Sequence, residues 1–263
     1  MAQLTELLSD VDADVSDIST ILRTDPALTA RVMRMSKAIM FGGAGAEVTD
    51  IEQALARVGF RNVLGLVGAA GVTQLAPEPL ALYAVDIDMF QRCSLCHAIA
   101  AENLARAVGE DHQAAYIAGL LRGIGMVVLD RAVAETITDG PLLVPTQGEQ
   151  SYAEMEQRLF GLTSVDVTRI LMDEWRFPEP VVSAIDQHHL STPESLENRL
   201  ACIVNVAGEI AAAAGHGLPG DEVHWTASPG KYEVLGLSLE FWNQLCGESQ
   251  IRFADACEAL KAS

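Results

Sequence analysis

Residues 116–129 constrain the fold most. Tyr116-Ile117-Ala118-Gly119-Leu120-Leu121, continued by Ile124, Met126, Val127, Val128 and Leu129, would put apolar side chains on nearly every side of a helix. A helix of that kind is buried all round. Gly119, Gly123 and Gly125 interrupt the run, each costing up to about 1 kcal/mol against Ala in a helix interior. Small residues at such a cost make sense where neighbouring helices cross closely. Arg122 is the one charge in the middle of the run. A guanidinium taken out of water needs a partner or access to water. Either a cavity opens at Arg122 or an acid stands opposite it. The periodicity predicts a single helix over 114–134.

The rest of the chain predicts an all-α protein. With 263 residues, 49% apolar and 20% charged, it can bury a sizeable core and is not of disordered composition. Helices are expected over 4–22 with a break near 10–14, from Ala27 to Ile39 after the cap Asp25-Pro26, from Ile51 to Val58, and over 61–75. Further helices are expected over Phe90–Val108, Tyr152–Phe160, Val165–Trp175, Val181–His189 and Leu196–Ala214. Residues 216–232 read as a surface loop, followed by two short helices near 238–246 and 249–261. No stretch reads as a convincing strand. The glycines of 42–45 lack a preceding strand and the spacing of a dinucleotide fingerprint, so they read as a connector.

Charge and cysteine content narrow the partners. A formal net charge of −19 opposes nucleic acid and anionic membranes, both of which are bound through Lys and Arg. The first ten residues show no positive region followed by an apolar stretch, so no secretory leader is expected. The apolar stretch 201–215 holds Asn205 and Glu209 and is too short for a membrane span. Five cysteines, an odd number, suit reduced thiols and a cytoplasmic location.

Few motifs carry chemistry on their own. Cys93-Ser-Leu-Cys96-His97 spells a haem-attachment string, but it lies inside an amphipathic helix and lacks an export signal. No second cysteine pair completes a zinc site. Two buried structural thiols are expected. Asp10, Asp12, Asp14 and Asp17 lack the glycine and the terminal Glu of a calcium loop and read as a solvated acidic face. No G-x-S-x-G elbow is present.

Several segments together resemble a known family. Ala118–Gly125, AGLLRGIG, is similar to the GLLHDIG signature of the HD superfamily of metal-dependent phosphohydrolases, and more so to its HDOD branch. Asp25–Met35, DPALTARVMRM, resembles the opening of HDOD domains, and Ile51–Gly59 their following helix. Glu154, Phe160-Gly161 and Ser164–Leu171 resemble a further HDOD stretch, and Trp175–His189 matches its W..PEP…HH segment.

The resemblance implies an N-terminal helical lobe over 1–80 and a degenerate HD-type core over 81–215, with a loop and helical tail over 216–263. It also locates the places where catalytic relatives hold metal. Here those places carry Cys93, Arg122, Gly123, Ser164 and Gly208, and only the His188/His189 region remains. Adjacent helical residues point about 100° apart, so both histidines do not easily face one ion. His97, one turn after Cys93, either points into the same cavity or packs in the core. A fixed cation at Arg122 disfavours metal. The expectation is a non-catalytic bacterial signal-transduction module with no metal or cofactor, acting through a partner protein or a small ligand. Two alternatives are an anion or nucleotide sensor built on Arg122, His188, His189, Cys93 and Ser164, and a divergent metal phosphohydrolase.

Overall fold

The computed structural model describes residues 79–133, 143, 151–174, 177–226 and 228–261. The helices expected over 4–75, the glycine connector and Asp10–Asp17 lie outside the described residues. Ten α-helices make up most of the described chain: α1 (Ile87–Val108), α2 (His112–Leu121), α3 (Ile124–Val133), α4 (Tyr152–Phe160), α5 (Ser164–Glu174), α6 (Glu179–Gln187), α7 (Arg199–Ala213), α8 (Glu222–Thr226), α9 (Gly230–Leu235) and α10 (Leu239–Lys261). Short 3-10 turns span Ala81–Tyr83 and Pro193–Glu197. The fold is all-α, and the one β feature among the described residues is an isolated bridge between Leu80 and Val85.

Local chemistry sets most helix ends. Asp86 and Asp111 cap α1 and α2 by accepting from backbone N–H groups of the first turn. Ser151 and Glu154 form a reciprocal capping box at α4, and Gly161 closes that helix at φ 73°. Pro178 precedes α6 and Pro180 lies in its first turn, where a missing N–H costs nothing.

Helix α1 is the hub, with α2, α7 and α10 all packed against it. Its residues from Cys96 to Ala105 are buried without a break. Helix α3 packs on α5, and α6 lies between α5 and α7. The glycines permit these crossings. A Cβ on Gly119 would lie 3.0 Å from Ala98 Cα, and one on Gly125 only 1.9 Å from the Ser164 carbonyl oxygen.

Three expectations are corrected. The run 114–134 is two helices, broken at Arg122-Gly123. The Gly125 N–H donates to Thr168 Oγ1 rather than to its own helix, because α5 lies against it. Residues 216–232 are not a surface loop: they hold α8 and the start of α9, and Leu218, Trp225 and Lys231 are buried. The C-terminal pair is one continuous helix, α10, whose Leu245, Ser249, Phe253 and Ala256 form a buried stripe at helical spacing. It runs through Gly247, where no neighbour approaches. Among the described residues no helix is long and apolar enough to cross a membrane.

Candidate functional site

Arg122 sits at the α2–α3 break with 7% of its surface exposed. Of the two possibilities left by the sequence, an acid stands opposite it. Nη1 donates to Asp221 Oδ2 at 3.1 Å, Nε donates to His97 Nδ1 at 2.8 Å, and Nη2 donates to Cys93 Sγ at 3.4 Å. His97 packs in the core and its Nε2 lies 2.6 Å from the Val204 carbonyl. Nε2 must therefore carry the proton, which leaves Nδ1 to accept from Arg122. Burial, then Arg122, holds His97 well below the ordinary histidine range. Burial opposes the guanidinium charge, but Asp221 and Cys93 outweigh it and Arg122 holds its proton more tightly than usual. Burial pushes the Cys93 thiol up.

Trp225 closes the site. The Arg122 guanidinium carbon lies 5.1 Å from the Trp225 ring centroid, a cation–π contact. The indole occupies the space beside Gly208, where an added Cβ would come within 2.7 Å of the ring and 2.9 Å of His97 Cε1. Residues 207–208 are the place at which the resemblance implies a metal-binding Asp. Gly208 leaves that space to the indole.

The structure brings together the five residues singled out in the sequence. Arg122, Ser164, His188 and His189 line one cavity with Gly123, Tyr152, Asp221 and His224. Cys93 reaches Arg122 from α1. The cavity has a volume of about 20 Å³, room for one water molecule. His188 Nδ1 donates to the Ile185 carbonyl at 2.6 Å, while Nε2 is buried without a hydrogen-bond partner. Burial, then Arg122, pushes His188 down to about 3. His189 and His224 stack face to face, with centroids 3.7 Å apart and planes within 3°. Both rings also line an outer groove of about 770 Å³ with Glu154, Arg158, Asp166 and Asp186.

The donor set does not fit a catalytic metal. Such a site needs several His and carboxylate ligands converging with an open position. Among the described residues no group of three or more His, Cys, Asp or Glu side chains is arranged to hold an ion. A guanidinium stands at the centre instead, already neutralised by Asp221. The C-x-x-C-H string is likewise absorbed by the core: Cys93 and Cys96 are buried free thiols and both His97 nitrogens are engaged.

The residues missed in the sequence are Asp221, His224 and Trp225, all within the stretch read as a loop. Two signals were available there. Gly220-Asp221-Glu222 is a helix start, and a Trp in a loop of small and polar residues asks for burial.

An all-helical HD-type bundle with a plugged centre defines the class of protein. The HDOD domain model matches residues 1–191, and the chain belongs to the HDOD family. The fold resembles an HDOD domain protein of unknown function from Geobacter sulfurreducens, with a TM-score of 0.61 and 19% identity over 98% of this chain and 90% of that one. It also resembles a protein provisionally named as a phosphohydrolase from Shewanella amazonensis SB2B, with a TM-score of 0.65 and 24% identity over 98% and 92% of the two chains. A protein from Treponema pallidum, described as uncharacterized, is 25% identical over 213 residues, 79% of this chain. This chain matches 39% of the length of that relative. Asp221, His224 and Trp225 lie beyond the residues matched by the family model.

Proposed function

We propose that this chain is a non-enzymatic regulatory module of signal transduction, working by binding a partner protein. The observation that carries the reading is the Arg122–Asp221 pair, buried on both sides and covered by Trp225, in the place where catalytic HD relatives would hold metal. Membership of the HDOD family supports it. The likeness to a provisionally named phosphohydrolase is a likeness of fold. Function belongs to the site, and this site has no open coordination position. An anion or nucleotide sensor using Arg122, His188, His189, Cys93 and Ser164 is less favoured. The guanidinium already has its counter-ion, the cavity admits one water, and Glu154, Asp166 and Asp186 outnumber Arg158 in the outer groove. The net charge of −19 favours a partner with a basic surface.

The test is hydrolysis. The full chain is supplied in turn with Mg²⁺, Mn²⁺, Fe²⁺ and Ni²⁺ and offered phosphomonoesters, phosphodiesters and cyclic dinucleotides. The expected result is no turnover above a buffer control. Turnover that disappears in His188→Ala would contradict the proposal.

A further inference from the structure

His188, His189 and His224 meet where two elements join. His188 and His189 follow the last turn of α6, and His224 belongs to α8. His188 tilts over His189 at 4.2 Å between centroids, His189 stacks on His224, and Trp225 lies 6.1 Å from both His188 and His189. Helix α8 is part of a strap, residues 216–226 and 228–236, that brings Asp221, His224, Trp225 and Lys231 onto the core. Glycines at positive φ mark its two ends, Gly215 at 78° and Gly236 at 67°, with Gly220 at 85° just before Asp221.

The charged groups around the cluster come from every side. Arg122, from the α2–α3 break, faces all three rings and is paired with Asp221 of the strap. Glu154 of α4 faces His224, and Arg158, Asp166 and Asp186 share the outer groove with His189 and His224. Glu154 accepts from Ser151 N, Asp166 accepts from Thr163, and Asp186 pairs with Arg169. His97 of α1 lies behind Arg122 and donates its one proton to Val204. Among the described residues no carboxylate is hydrogen-bonded to any ring of the cluster.

Protons on both His189 and His224 therefore set two cations face to face, 3.7 Å apart between centroids, without a bonded counter-ion and with Arg122 nearby. Separating the rings relieves it, and the rings belong to α6 and to the strap. We infer that His188, His189 and His224 form a proton-sensitive latch that fastens the strap over Arg122 when the rings are neutral and releases it when they become charged. The sign follows from where the rings titrate. Burial, then neighbouring rings and Arg122, holds His188 and His189 below the ordinary histidine range. Burial and Arg122 hold His224 low against the opposing pull of Asp221 and Glu154. Once released, the rings regain their usual value near 6.5. The latch is at full strength above about pH 6.5 and weakens as pH falls below it. The device does not depend on whether the chain binds a partner or hydrolyses anything.

Hydrogen exchange of the full chain, read by mass spectrometry at pH 7.5 and pH 5.0 and corrected for intrinsic rates, tests it. Protection of the strap should fall by about tenfold or more at pH 5.0, since each unit below the free value is worth about tenfold per depressed group, while α1 keeps its protection. In the double variant His189→Gln/His224→Gln only His188 is left to titrate, so the strap should lose at least several-fold less protection than in the wild type over the same range. Unchanged strap protection, an equal loss over α1, or a full pH response in the double variant would each overturn the latch. If the double variant does not fold, NMR titration of the wild-type histidines decides. His189 and His224 should gain protons together, at the midpoint of the strap's loss of protection. Independent titration near pH 6.5 with the strap still protected would overturn it.

Discussion

Arg122 commits three of its five N–H groups to the chain itself, reaching Asp221, His97 and Cys93. Removing one side of such a buried pair leaves an uncompensated charge, at a cost of about 3–5 kcal/mol. Asp221→Ala should therefore lower the urea-unfolding free energy by about that amount. Arg122→Met combined with Asp221→Leu should recover much of the loss, because an apolar pair of similar size is often neutral or better. Gly208→Asp, which restores an acid at the family's position, should destabilise the protein by about 3 kcal/mol or more, since its Cβ alone collides with Trp225 and His97. A thermal melt of the folded fraction checks it. At this scale the sequence made half the site legible. Arg122 in an apolar run demanded a partner, but the acid lies 99 residues away, a distance that no local pattern spans.

Helices are where the sequence was most readable. The expected bounds match α4 to the residue, and α1, α5, α6 and α7 within a few residues. The failures have physical causes. The α2–α3 break is imposed by α5 pressing on Gly125, a tertiary contact without a local signature. The strap looked like a loop because its helices are too short to show a period, yet Trp225 and Lys231 tie it to the core through burial and a hydrogen bond from Lys231 to Asn205. Helix α10 docks on α1 through polar groups as well as its apolar stripe. The buried Glu102 accepts from Arg252 and Arg106, and Asn103 donates to Ser249. Glu102→Ala strips Arg252 of that carboxylate and should cost about 2–3 kcal/mol, visible as earlier hydrogen exchange in α10 than in α2. Gly125→Ala should separate α3 from α5 and cost about 3 kcal/mol or more.

Across the whole molecule, buried neutral imidazoles set the response to acid. His97 lies well below the ordinary histidine range because of burial and Arg122, and His188 is pushed down to about 3 for the same reasons. Unfolded, both titrate near 6.5. Their contribution to stability is complete above that value and is lost as pH falls through it, by up to about 1.4 kcal/mol per pH unit for each group. Burial raises the carboxyls of Glu156 and Asp130, and these work in the opposite direction. They favour the folded state as acid is added, in a window that reaches down to the free carboxyl range near 4. Urea unfolding between pH 7.5 and 5.5 should show stability falling with acid, because the free histidine value near 6.5 lies inside that range while the free carboxyl value near 4 lies below it. The Arg122–Asp221 pair and the two engaged nitrogens of His97 fill the centre of the bundle where a cation would sit. Metal content measures that most directly. The full chain, purified without chelator and without a histidine tag, is analysed for iron, manganese, zinc and nickel. The account predicts far less than one equivalent of any of them on folded protein. Near-stoichiometric metal, lost together with His188 or His189, would contradict it.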